Sequence, residues 1–271
     1  MFRQGIATGI AAFALIGATS MLNAAPISVS DNYVGADGGN HGDVVGYDSK
    51  FDISSMGIEQ NGTQFEFTVN TNFAGKAGIY SQYTVGGVGI GYGDLFLASE
   101  WTPQGNAPYE NDKASTGTDW TWGLVLSDRF NNNGGSVSLF QLPGNNAATT
   151  ILSDQLMDNS TGAQWRYGQE VLVDTGPDAT GSDAVKPFGN VGTWSLATSQ
   201  LNISVNLGPT DILNGDSLAF HWGMTCANDV IEGEIELTKK VPEPGTLGLI
   251  ALALATLFFM RHRSKKARNL P

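Results

Sequence analysis

Four stretches of the chain alternate between apolar and polar positions with a period of two. Phe65, Phe67 and Val69 share one side, with Gln64, Glu66 and Thr68 on the other. Leu201, Ile203, Val205 and Leu207 alternate with Asn202, Ser204 and Asn206, and Leu218, Phe220, Trp222 and Met224 form a third stripe. Ile231, Gly233, Ile235 and Leu237 make a fourth, opposite Glu232, Glu234 and Glu236, which read as a solvated face. One apolar face at period two is what a half-buried antiparallel strand needs. Turn-forming clusters lie between such runs, as at Asn61-Gly62, at 131–135 and at Asn214-Gly215-Asp216. Their residues tolerate positive φ or close turns through their own side chains. Between the two ends of the chain no segment offers three turns of helical periodicity, and no solenoid repeat or heptad recurs. The pattern predicts an all-β fold, an antiparallel β-sandwich of jelly-roll type. Residues 87–94, with Gly at every second position, read as a further strand with one bare backbone face. Such a face suits a bulge or tight sheet packing, or the close approach of a sugar ring.

The two ends read differently from the body. Arg3 precedes an apolar run over residues 5–22, and Ala24 and Ala25 follow, the layout of a secretory signal peptide over 1–24. At the other end, Val241-Pro242-Glu243-Pro244 leads into the apolar run 247–260 and then Arg261, Arg263, Lys265, Lys266 and Arg268. As a helix, residues 245–260 would span roughly 24 Å, slightly under a hydrocarbon core of about 30 Å, with the basic side chains snorkelling. The basic tip belongs on the cytoplasmic side, and the prolines stop the helix from running back into the body. The chain therefore divides into 1–24, an exported domain over 25–241, and a single transmembrane helix with its flanks over 242–271.

This C-terminal arrangement resembles the PEP-CTERM sorting signal of Gram-negative bacteria, a tail also labelled an ice-binding-protein C-terminal domain. The label says nothing about ice, and the body lacks the regular threonine arrays of a flat ice-matching face. The resemblance implies recognition by an exosortase, a membrane-embedded transpeptidase-like protease, with processing near Pro242, Glu243 and Pro244. The body also resembles uncharacterised proteobacterial PEP-CTERM proteins, through Gly91-Tyr92-Gly93-Asp94-Leu95-Phe96-Leu97, Trp101-Thr102-Pro103, Gly117-Thr118 before Trp120-Thr121-Trp122, and the segment 221–233. That second resemblance carries class and location and no activity.

Charge sharpens the division. The whole chain has a formal net charge of −12. Leaving out Arg3, the five tail Lys/Arg and Glu243 keeps 8 of the 14 basic and 25 of the 26 acidic residues, so the body stands at −17. Nucleic acid and anionic membrane surfaces are poor partners for such a body. One cysteine excludes an internal disulfide and a cysteine-based zinc site.

Candidate chemistry is sparse. There is no GxSxG elbow, no Walker A and no HExxH. His221, opposite the apolar stripe of Phe220, Trp222 and Met224, is expected to face solvent or a loop, and Cys226 reads as a small buried residue. Glu66, Glu100, Glu110 and Glu170 are available for paired-carboxylate glycoside cleavage, with nothing to single out two. The glycine-rich acidic segment 31–43 is the better lead. Asp31, Asp37 and Asp43, joined by Asn228 and Asp229 if the terminal strands pair, offer the oxygen ligands of a structural Ca²⁺ site, although a metal-free turn fits equally well. Trp101, Tyr109, Trp120, Trp122 and Trp165 lie in or near polar loops, where exposed rings would form a carbohydrate platform; core packing is the competing reading. Taken together, the sequence points to a non-enzymatic exported protein. It is expected to pass through the inner membrane to the cell surface or extracellular matrix, with exosortase and export machinery as partners and extracellular polysaccharide as a further one. A lectin-like module and a secreted glycan-processing enzyme are the alternatives.

Overall fold

Alternating apolar residues give strands, and turn clusters reverse them, so the chain builds mainly antiparallel sheet. The computed structural model describes residues 25–36, 41–144, 146–176, 185–238 and 254–257. Its strands are β1 (Ile27–Ser30), β2 (Ile53–Asn61), β3 (Gln64–Thr71), β4 (Leu95–Ala98), β5 (Trp122–Leu126), β6 (Gly135–Gln141), β7 (Thr150–Leu152), β8 (Glu170–Val173), β9 (Lys186–Ala197), β10 (Gln200–Asn206), β11 (Ser217–Gly223) and β12 (Val230–Glu236). Ten of them form one antiparallel sheet in the order β1-β2-β3-β10-β9-β6-β5-β4-β11-β12, and β7 and β8 form a separate ribbon. All four period-two stripes lie on strands: β3, β10, β11 and β12.

The large sheet is nearly barrel-shaped. Its last strand comes back against its first two without joining their ladder. A Cβ added at Gly233 on β12 would stand 3.2 Å from Val29 Cγ1 on β1. The Ile53 amide at the start of β2 donates to Asp229 Oδ2 at 2.6 Å, and the Thr238 amide donates to Gln60 Oε1 at 2.8 Å. Strand twist accumulated over ten strands brings the two edges together, with β1 itself left largely exposed. Inside the roll lies one core that includes Phe65, Phe67, Leu97, Leu124, Trp194, Ile203, Phe220 and Trp222, all buried.

A second layer packs outside β4, β5 and β11. Phe96, Ala98, Trp120, Leu142, Val173 and Ala219 form one outer cluster, and Tyr33, Val171, Ala227 and Val230 form another. Strand β11 is therefore buried on both faces, with Ala219 and His221 as inaccessible as Phe220 and Trp222. This corrects the expectation that His221 faces solvent. Covered faces also explain Trp120 and Trp122, at 0% and 2% exposure. Trp120 belongs to the outer cluster, and Trp122 closes the inner core while its Nε1 donates to Asp211 Oδ1 at 2.8 Å.

Residues 87–94 do not form a strand. Ile90 and Tyr92 make single bridges to Ile79 and Met224. Glycine is needed here for backbone-on-backbone contact. A Cβ at Gly89, where φ is +84°, would lie 2.4 Å from the Gly78 carbonyl oxygen, and one at Gly93 would lie 2.2 Å from that of Gly223. At Gly89, Gly91 and Gly93 the bare face is filled by the protein itself, which removes it there as a sugar-binding surface.

The signal segment 1–24, the motif residues Pro242, Glu243 and Pro244, and the basic tip Arg261, Arg263, Lys265, Lys266 and Arg268 lie outside the described residues. Of the apolar run, residues 254–257 form a helical turn, and among the described residues no helix is long and apolar enough to cross a membrane.

Candidate functional site

Where the sheet's two edges meet, three carboxylates converge. Asp31 follows the end of β1, Asp229 immediately precedes β12, and Asp43 comes from the glycine-rich loop between β1 and β2. One oxygen of each lies within 4.8 Å of the others. Asp31 Oδ1 accepts from the Tyr33 amide at 3.1 Å, whereas its Oδ2 is buried without a hydrogen-bond partner. Asp229 is fully buried and accepts from the amides of Val230 at 2.9 Å and Ile53 at 2.6 Å. Burial raises the Asp31 carboxyl to about 8 against the pull of the Tyr33 amide, and the Asp43 charge adds to the rise. Burial, then repulsion from Asp31, holds Asp229 well above the usual carboxylate range.

The buried guanidinium of Arg166 organises the loop around them, donating to the carbonyls of Gly35 at 3.2 Å, Gly42 at 3.1 Å and Asp43 at 2.5 Å. Asn228 holds the same loop by donating from Nδ2 to the Val45 carbonyl at 2.5 Å. Asp37 lies outside the described residues. Close carboxylates of which one is wholly desolvated either keep protons or share a cation, and oxygen-only donors suit a hard divalent ion.

A second polar group lies between the sheet and its outer layer. His221 Nε2 is 2.7 Å from the Glu170 carbonyl oxygen, and Nδ1 is 2.8 Å from Glu232 Oε1. A carbonyl cannot donate, so Nε2 carries the proton, and a carboxylate at Nδ1 favours the imidazolium. Burial pulls the histidine down, but the bond and charge of Glu232 outweigh it and the net shift is upward. Glu232 Oε2 accepts from Trp101 Nε1 at 2.9 Å. The rings of Phe96 and Trp120 flank the imidazole, each with its centroid 5.8 Å away. Tyr33 donates to Asp112 Oδ2 at 3.1 Å and stacks on Tyr109, which meets Trp101 edge-on. Burial, only partly offset by His221, raises Glu170 to about 7; burial and the Glu232 charge raise Asp112 to about 6. Of the four acids considered for glycoside cleavage, Glu170 alone is buried, and Glu66, Glu100 and Glu110 are exposed. Burial pushes the Cys226 thiol up to about 12, which makes it a poor nucleophile.

The sequence-proposed aromatics separate. Trp101 and Tyr109 are half-buried side by side, whereas Trp120, Trp122 and Trp165 have no free face. The expectation of an exposed platform therefore does not hold for those three rings. Tyrosines unremarked in the sequence do line an open surface. Tyr47, Lys50, Tyr80, Tyr83, Gln164 and Asn228 border a groove of about 310 Å³. They come from separate loops with no shared period, so no local pattern announced them, just as no pattern announced the Glu232–His221 pairing.

At the far end of the chain, residues 240–264 match the PEP-CTERM protein-sorting motif. The chain carries this sorting signal. The PEP-CTERM motif marks an exosortase-targeted secreted protein, consistent with export and cell-surface sorting by way of the membrane. It covers the tail and leaves the chemistry of the body open. No curated protein and no solved structure matches the chain.

Proposed function

We propose that this protein is an exported component of the cell surface or extracellular matrix, cut by an exosortase near Pro242-Glu243-Pro244, whose body acts by binding or by building structure and not by catalysis. The PEP-CTERM motif at 240–264 carries the reading. In the precursor the signal peptide starts export, residues 245–260 cross the inner membrane, and the basic tip stays on the cytoplasmic side. The proposed architecture of the body is a jelly-roll type of sandwich. Its non-catalytic role is supported by the engagement of His221 and Glu232 in fixed bonds and by the suppressed Cys226 thiol. Production in a host with and without an exosortase tests the sorting. Processed protein should leave the membrane fraction only where the enzyme is present, and identical tail-bearing protein in both hosts would overturn the reading.

The body also takes up a structural Ca²⁺, held by Asp31, Asp43 and Asp229. The support is the convergence of three carboxylates that come from both edges of the sheet. A lectin-like role on extracellular polysaccharide is the second reading of the body, favoured by its open tyrosine-lined groove.

A further inference from the structure

The groove beside the acidic cluster combines two kinds of surface. Phe51, Ile90 and Met157 give it apolar lining, and tyrosines stand at its edge. Tyr47 is 65% exposed. Tyr80 and Tyr83 pack with ring centroids 5.8 Å apart, and Tyr80 is held at φ +57°, a left-handed conformation costly for a bulky residue. The Tyr83 carbonyl accepts from the Asp158 amide at 2.9 Å, fixing that wall to the segment that carries Met157. The Tyr80 and Tyr83 rings are therefore set by the fold.

The polar groups narrow the ligand. Asn228 is 4% exposed, and its Nδ2 faces two carbonyls, those of Val45 at 2.5 Å and Gln164 at 3.4 Å. Carbonyls accept only, so this end is the NH₂ and the other is Oδ1. That Oδ1 is buried with no hydrogen-bond partner, in a side chain that lines the groove. A buried acceptor without a donor is costly, and a ligand hydroxyl is the group that relieves it. Gln164, exposed at the rim, adds an amide. Lys50 is already engaged, its ammonium 4.9 Å and 4.7 Å from the ring centroids of Tyr47 and Tyr80 and bonded to the Tyr80 hydroxyl. With its cation shared over two rings and a body at −17 around it, the groove disfavours an anion.

We propose that this groove binds the neutral pyranose ring of a saccharide, with a C–H face on the tyrosines and a hydroxyl donating to Asn228 Oδ1. Flat apolar faces ringed by hydroxyls are the chemistry that matches aromatic walls with a few convergent polar atoms. The proposal deepens the binding role assigned to the body, and it is read independently of sorting because the test uses the secreted protein whatever tail it retains.

Saturation-transfer NMR with the methyl glycosides of glucose, galactose, mannose and N-acetylglucosamine, alongside glucuronate, tests it. At least one neutral glycoside should show transfer, with glucuronate weaker. Tyr47→Ala, at an exposed position, should weaken binding roughly tenfold while leaving the melting temperature unchanged. Tyr83→Ala serves as the second variant. No transfer from any neutral glycoside, a preference for glucuronate, or binding unchanged in both variants overturns the proposal.

Discussion

Asp229 Oδ2 accepts the amide hydrogen of Ile53 at 2.6 Å across 176 residues of sequence, joining the strand that ends the sheet to one near its beginning. The same carboxylate is one of the three that converge with Asp31 and Asp43. Closure of the roll and the candidate cation site thus share a side chain. Asp229→Ala removes an acceptor from two buried amides and should lower stability by about 2–4 kcal/mol in urea denaturation. Asp229→Asn keeps one acceptor oxygen and should lose less. Equal stability of the alanine variant and the parent would separate closure from this bond.

Calcium should stabilise the secreted protein. With the ion at about a hundred times its dissociation constant, the gain is about 2.7 kcal/mol. That corresponds to a rise in melting temperature of roughly 5–10 °C for a domain of this size. The rise should be larger at pH 8 than at pH 5, because carboxyls raised by burial hold protons at the lower pH and must release them to bind. Asp43→Asn, at an exposed side chain, should abolish the response without unfolding the protein. A melting temperature insensitive to both calcium and chelator at pH 8 would contradict the site.

The network around His221 sets a pH dependence of its own. Glu170 is raised to about 7, Asp112 to about 6, and His221 is also raised. Each group binds its proton more tightly in the folded than in the unfolded chain. Their contribution is complete below the unfolded values, near 4 for the acids, and is lost as pH climbs through the folded ones. With calcium absent, denaturant stability should be highest near pH 4–5 and decline towards pH 8. Glu170→Gln should flatten part of that decline. A stability that rises from pH 5 to pH 8 would contradict the assignment.

Much of this fold was legible because apolar period-two stripes report one buried face. Phe65, Phe67 and Val69 and the three other stripes all fall on strands. The same rule failed where both faces are covered. Ala219 and His221 on β11 look like an outer face only until the β7–β8 ribbon and the loops pack over them, and Glu232 is polar yet buried because its partners are His221 and Trp101. The glycines of 87–94 mimic a strand in sequence, but their spacing serves close backbone contacts with Gly78 and Gly223. Near the cluster, sequence placed acids at both ends of the body and chain closure brought Asp31, Asp43 and Asp229 together. The groove tyrosines, contributed by separate loops, left no trace of that kind.

The buried Asp94 carboxylate ties the ribbon to the sheet. Arg129 Nη1 lies 2.6 Å from Asp94 Oδ1, and the Asp94 carboxylate also accepts from the amides of Leu126 and Val173. Asp94→Ala would take away the counter-charge of Arg129, which keeps its bond to the Tyr92 carbonyl, and the acceptor of two buried amides, at a cost of about 3–5 kcal/mol. Asp94→Asn, which keeps an acceptor for one amide, should cost less. Urea midpoints of the two variants check this, and an alanine variant as stable as the parent would sink it.

On the proposed sorting, the chain is delivered outside and relieved of its tail by an exosortase. Intact-mass spectrometry of the secreted protein from a host that contains an exosortase measures this most directly. The mass should correspond to a chain ending near Pro242-Glu243-Pro244, without Arg261, Arg263, Lys265, Lys266 and Arg268. A secreted form that still carries those five residues would contradict it.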